Sequence, residues 1–219
     1  VTYSTLQVPY RNRSFLTLRD GTKVWINSGT EVRFPVNMEG KERSIYVDGE
    51  IYIEVAKDKE RPFYVHTSGF DVRVYGTKFN VTSYKADKEK SVVLVEGSVS
   101  VCSKEETKEK EVKEIFLHPD QMYHTTNRGP MITHVNALQY ITWKDGIWQF
   151  TSESLESIAL RLSRYYGVDI HCDEKTAVKS CTGKLILFDD VDKTLRIIEE
   201  IFGVRYETNQ NEIIISMNP

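Results

Sequence analysis

The sequence predicts a mainly β chain with a small α+β part behind it. Residues 1–136 read as a β-sandwich or jelly roll, and residues 137–219 as a compact β-α-β repeat. Three observations carry this. Apolar residues alternate with polar ones at period 2 through the first part. Turn signals (Asp20-Gly21, Ser28-Gly29, Asp48-Gly49, Ser68-Gly69, Glu96-Gly97) recur between the alternating runs. Many short strands with turns at that spacing indicate a sandwich or barrel. Past Trp143 the period changes to that of two amphipathic helices, each stopped by a glycine.

The clearest strand runs from Ile45 to Val55. Ile45, Val47, Ile51, Ile53 and Val55 fall on one face, and Tyr46, Asp48, Glu50, Tyr52 and Glu54 on the other. Gly49 stands where one more aliphatic residue belongs, so a bulge or bend is expected there. Val72, Val74, Val93, Val95, Val99 and Val101 continue the pattern. The Lys- and Glu-rich stretch from Lys104 to Glu114 reads as a solvated hairpin tip.

In the second part, Ile147–Phe150 is a short strand. Thr151 or Ser152 caps a helix whose apolar stripe is Leu155, Ile158, Ala159, Leu162 and Tyr166. Gly167 ends it in the left-handed conformation. Val168–His171 is the next strand. The second unit repeats this: a strand at Leu185–Phe188, a cap at Asp189 or Asp190, and a stripe of Val191, Leu195, Ile198 and Phe202. Gly203 stops that helix, and a hairpin of Val204–Glu207 and Ile213–Ser216 follows. Aligned on the two stop glycines, Leu155 matches Val191, Leu162 matches Ile198 and Tyr166 matches Phe202, a weak internal repeat.

Composition narrows the function. The chain has 219 residues and a net charge of −3, with no basic excess to hold nucleic acid. From Ile141 onward there are 9 Lys and Arg against 13 Asp and Glu, so the acidic balance sits in the second part. No apolar run reaches the roughly 20 residues that span a bilayer. The chain begins at Val1 rather than Met and is read as a fragment or a mature product. Cys102, Cys172 and Cys181 form no C-x-x-C motif. Cys172 and Cys181 are expected either to bridge two adjacent strands in an oxidising compartment or to stay as buried thiols.

Few groups suit catalysis. His66, His118, His124, His134 and His171 show no metal-binding spacing, so no metal is expected. Neither a G-x-S-x-G elbow nor a phosphate-binding glycine loop occurs, and no cofactor is expected. Gly76-Thr77 is the one peptide with conceivable self-chemistry. The threonine hydroxyl would attack the preceding carbonyl, turning the amide into an ester that water then cleaves. The plainer reading makes Gly76 a bulge and Thr77 an ordinary strand residue. Trp143 and Trp148 sit at the junction and are expected to fasten the two parts together.

Residues in the first part resemble one family. They include Asp20-Gly21-Thr22, Val24-Trp25-Ile26-Asn27, Gly29, Arg43, Gly49-Glu50, Tyr52, Pro62-Phe63, Gly76-Thr77, Phe79-Asn80-Val81 and Gly97. In this order and spacing they resemble the periplasmic region of FecR-type anti-sigma factors. The second part, through Trp143-Lys144-Asp145-Gly146, Phe150, Leu155, Ile158, Leu162, Arg164-Tyr165-Tyr166 and Gly183, resembles the C-terminal domain of regulators paired with SusC/SusD-type glycan uptake. That domain is similar to the short signalling domain of secretins and TonB-dependent transducers.

The resemblance implies a non-enzymatic periplasmic sensor. A cytoplasmic segment outside this chain would hold an extracytoplasmic-function sigma factor, and one membrane helix, also outside it, would anchor the protein in the inner membrane. The signalling domain of a TonB-dependent outer-membrane transducer would dock on the second part, leading to regulated proteolysis and sigma release. In some relatives the Gly-Thr peptide cleaves itself, which carries over to Gly76 and Thr77. A small domain with unpaired sheet edges accepts a partner's strand there. The expected contact residues are Thr182, Lys184 and Ile186, or Val204, Arg205 and Tyr206. Two other classes compete. A carbohydrate-binding module needs a row of solvent-facing aromatics on the first part. A periplasmic enzyme needs His66, His118, His124, Asp48, Glu50 and Glu54 to converge.

Overall fold

The structure is a computed structural model that describes residues 1–104, 114–126, 129–210 and 212–217. Among the described residues thirteen strands build the first part. They are β1 (Tyr3–Gln7), β2 (Ser14–Thr17), β3 (Lys23–Ile26), β4 (Glu31–Pro35), β5 (Arg43–Glu54), β6 (Phe63–His66), β7 (Phe70–Val74), β8 (Lys78–Ser83), β9 (Ser91–Glu96), β10 (Val99–Ser103), β11 (Glu114–Leu117), β12 (Gln121–Thr126) and β13 (Gly129–His134). The predicted charged hairpin tip lies mostly outside the described residues. On either side of it, β10 and β11 pair antiparallel.

Two layers share one strand. The first runs β1-β4-β5-β6-β7-β10-β11 and the second β2-β3-β5-β8-β9-β12-β13. The N-terminal half of β5 pairs with β4 and β6, and its C-terminal half with β3 and β8. The strand changes layer at Gly49, whose φ is +137°. A Cβ there would lie 2.3 Å from Thr30 Oγ1, so the expected bend needs a residue without a side chain. The aliphatic face of β5 points between the layers, where Val24, Ile26, Ile45, Ile51, Ile53, Phe63 and Phe79 are fully buried. Each such side chain contributes about 1.5–3 kcal/mol by leaving water. Arg43 is also buried there. Its Nη1 donates to Asp20 Oδ2 at 2.8 Å and to Ala56 O at 2.9 Å. Thr22 donates its hydroxyl to the same Asp20 oxygen. The Asp-Gly-Thr turn and Arg43 thus form one satisfied buried ion pair.

The second part opens with a 3₁₀ segment, Ala137–Asp145, which the periodicity did not reveal. Then come β14 (Ile147–Ser154), α1 (Leu155–Tyr166), β15 (Asp169–Cys172), the short helix α2 (Glu174–Ala177), β16 (Ser180–Ile186), α3 (Val191–Phe202), β17 (Val204–Asn209) and β18 (Glu212–Met217). Gly167 and Gly203 end α1 and α3 in the left-handed conformation, as expected. The cap of α1 is Ser154, whose side chain accepts from Ser157 N, and not Thr151 or Ser152. The strand extends past the predicted cap because a bulge between Phe150 and Glu153 lets it continue pairing. Asp190 caps α3.

Pairing differs from two self-contained β-α-β units. β14 pairs antiparallel with β16, while β15, β18 and β17 form a separate sheet. Each unit sends its first strand to one sheet and its second strand to the other. Periodicity locates strands but carries no pairing information. Between the sheets and helices lies a second core of Trp148, Phe150, Leu155, Ile158, Leu162, Tyr166, Leu195, Ile198, Ile213 and Ile215.

Candidate functional site

The outer face of the second layer of strands is where the two parts meet. Tyr52 points outward from β5 as alternation requires, yet is only 3% exposed, because it belongs to the second core. Trp25 and Val95 pack against that core from the same face. Beside them stands a polar network. Asn27 Nδ2 donates to Glu50 Oε2 at 2.7 Å, and Asn80 Nδ2 donates to Glu50 Oε1 at 3.0 Å. Thr82 Oγ1 donates to the same oxygen at 3.2 Å. Asn80 then accepts at Oδ1 from Trp143 Nε1 at 3.0 Å. Asn27, Glu50 and Asn80 come from three separated sequence runs. The sandwich brings them together to receive the indole of Trp143, which is 1% exposed. Burial, then the nearby Glu54, pushes the Tyr52 hydroxyl well above its ordinary titration range.

A second set of contacts joins the β1–β2 connection to the end of α1. Arg11 N donates to Tyr165 O at 2.8 Å, and Ser28 Oγ donates to the same carbonyl at 2.6 Å. Arg13 Nη1 donates to Trp143 O at 3.0 Å. Arg164 Nη2 lies 2.5 Å from Asp87 Oδ2, with the guanidinium over the Tyr84 ring. The Tyr10 ring fits between Gly29 of the first part and Gly167 of the second. A Cβ would come within 2.7 Å of it from Gly29 and 2.4 Å from Gly167. Sequence reasoning placed the fastening on Trp143 and Trp148. Trp143 makes the contact described, while Trp148 lies inside the second core under Arg161 and against Tyr165. Arg164 and Tyr165 add a fastening that periodicity could not assign, because helix position alone does not say what the last turn faces.

The strand edges are unequal. Among the described residues β16 pairs with β14 alone, and β17 with β18 alone. Thr182, Lys184 and Ile186 are exposed on β16. Leu187 N donates to Gly146 O, so the hydrogen-bonded pairs of this ladder alternate from there. The N–H groups of Lys184 and Ile186 therefore point to the open side. On β17, Tyr206 N donates outward to Glu199 Oε1 at 3.0 Å, so α3 already occupies part of that edge. By the same alternation the Arg205 N–H points at β18. Val204 is 2% exposed, and its side chain faces the core rather than a partner.

The other predicted groups are dispersed. His66 contacts Asp71 at 2.8 Å, Asp48 holds Lys85, and Glu54 accepts from Tyr52. His118 uses its backbone N–H on Gln121. Of the six residues weighed for an enzyme, Glu50 and His124 line one cleft at the joint between the parts, and the other four lie outside it. An aromatic row does cross the first layer, but its rings stack on one another. Arg33 lies over both Tyr3 and Tyr46, Tyr46 stacks on His66, and His66 on Tyr64. Thr77 donates its hydroxyl to Ser98 O at 2.8 Å, beside a cleft of about 380 Å³ that Lys57 and Arg73 also line. Gly76, at φ +146°, lies against the backbone of Lys57. Cys172 and Cys181 are free thiols on strands of different sheets, not on adjacent paired strands. Burial pushes both up to about 11.

Comparison with known proteins agrees with this architecture. Residues 4–100 match the model of the FecR protein family, and residues 147–215 match the model described as FecR, C-terminal. Two crystal structures of a candidate anti-sigma factor from Parabacteroides distasonis ATCC 8503 are similar throughout. Each has a TM-score of 0.84 and 25% identity; they cover 100% and 99% of this chain, which covers 100% of each of theirs. No curated protein sequence matches significantly. With two family models that together span about three quarters of its residues, and a full-length structural likeness to a candidate anti-sigma factor, the chain belongs to the FecR family, a regulatory rather than an enzymatic class.

Proposed function

We propose that this chain is the periplasmic sensor of an anti-sigma factor and works by protein–protein docking. The signalling domain of a TonB-dependent outer-membrane transducer adds a strand to the second part. The signal then passes to an extracytoplasmic-function sigma factor, held by a cytoplasmic segment outside this chain, through an inner-membrane helix. The observation that supports this most is the open edge of β16, with two outward N–H groups and the exposed side chains Thr182, Lys184 and Ile186. Main-chain bonds at such an edge supply affinity, and alternate side chains supply choice. β17 is the poorer edge, because Glu199 already takes one of its donors.

Calorimetry with the signalling domain of the transducer encoded beside this chain tests the reading. Binding is expected, and Lys184→Pro should abolish it while leaving the fold intact, since that N–H lies outside the β14 ladder. Arg205→Pro instead removes a β17–β18 bond and should destabilise the hairpin by about 1 kcal/mol. Full binding by Lys184→Pro would refute docking at this edge. Within this function Gly76-Thr77 shapes the connection between β7 and β8 and not a strand, with the Thr77 hydroxyl donating to Ser98 O. Intact mass checks this: a fragment beginning at Thr77 would show self-cleavage instead.

A further inference from the structure

A cleft of about 360 Å³ opens at the joint between the two parts. The sandwich side contributes Glu50, Ser91 and His124, and the second part contributes Tyr140, Gln149 and Arg161, among others. The volume lies at the low end of the range for small-molecule sites. Such sites combine apolar walls with a few convergent polar groups, and here Met122, Tyr140 and Leu160 supply the apolar surface.

The charges inside the cleft are already engaged. Glu50 accepts from Asn27, Asn80 and Thr82. Arg161 Nη1 donates to both oxygens of Glu153, at 2.9 and 3.2 Å, and Arg164 pairs with Asp87. Glu89 and Lys90, consecutive in sequence and opposite in sign, add no net charge to the lining. A charged ligand that recruited Arg161 or Arg164 would have to break its ion pair, leaving the carboxylate uncompensated. The groups with spare capacity are neutral. Among the described residues the Tyr140 hydroxyl and the side-chain amide of Gln149 have no hydrogen-bond partner, and His124 Nε2 is buried without one. A buried polar atom without a partner calls for a specific explanation.

We propose that this cleft binds a neutral polyhydroxylated ring, a sugar of monosaccharide size. Hydroxyls both donate and accept, which suits an amide, a phenol and an imidazole together. The C–H face of a pyranose would lie on the Tyr140 ring. Because both parts line the cleft, such a ligand holds them together. This goes beyond the docking function and does not depend on it: a transducer docks at the β16 edge, whereas the sugar enters at the joint.

The test uses the 219-residue chain and the probes glucose, mannose, galactose, xylose and N-acetylglucosamine, with glucuronate as the charged control. Saturation-transfer NMR and calorimetry read binding. At least one neutral sugar should bind at one site per chain. Tyr140→Ala and Gln149→Ala should each weaken it about tenfold or more, and Tyr46→Ala, on the stacked row of the first layer, should leave it unchanged. No saturable binding of any neutral probe up to about 50 mM would overturn the proposal. So would binding that both cleft variants leave intact, or a preference for glucuronate.

Discussion

The first part closes its core between two layers of its own strands, whereas the second part completes its core with residues of the first. Val24, Ile53, Phe63 and Phe79 are shielded by strands on both sides. Trp148, Leu162 and Ile198 share their cluster with Tyr52, and Trp25 and Val95 cover its margin. The difference follows from size. A domain of about 75 residues buries a smaller fraction of its surface than a longer chain, so borrowed apolar area matters more to it.

The sharpest way to break this comparison is to remove the second-core residue that is hydrogen-bonded to the first part. Trp143→Ala takes away a fully buried indole and its bond to Asn80. A loss of about 3–5 kcal/mol is expected in urea unfolding. The second part should melt first, with the sandwich transition little changed. A single unshifted transition would mean that the second core stands alone. A smaller effect probes the β1–β2 connection. Gly167→Ala places a methyl group 2.4 Å from the Tyr10 ring at a left-handed residue, and should cost about 1–3 kcal/mol. In a Tyr10→Ala background the steric share should disappear. An equal cost there would leave the left-handed backbone as the sole reason for glycine.

The smallest effect concerns the thiols of the second part. The folded environment of Cys172 and Cys181 favours the neutral thiol, with values of about 11 against an ordinary 9.0. Their stabilising contribution is therefore complete below pH 9 and is lost as pH rises toward 11. At about pH 8, iodoacetamide should modify both at least about tenfold more slowly in the native protein than in denaturant. Denatured, never-reduced protein that yields only the Cys102 thiol would show that the pair had been oxidised to a disulfide.

Much of the architecture was legible in residues alone. The face assignments along β5, the bend at Gly49 and the stop glycines of α1 and α3 all follow from short-range rules, because period and left-handed backbone are local properties. Other features were not legible. The cap of α1 moved to Ser154 because a bulge lengthened β14, and pairing decides bulges. The Asn27–Glu50–Asn80 network was hidden, since its members are distant in the chain and each looks like an ordinary strand polar residue. Tyr52 read as an outward residue and is one; only the packed second part makes it buried.

The sequence by itself determined the class of each segment, the two-part division of patterns and the family resemblance, because these depend on side-chain periodicity and turn chemistry. The tertiary structure decided which strands pair and which edges stay open. It also decided which outward side chains are covered and where a cleft forms at the joint. Those depend on contacts between residues far apart in the chain, which local preference does not encode.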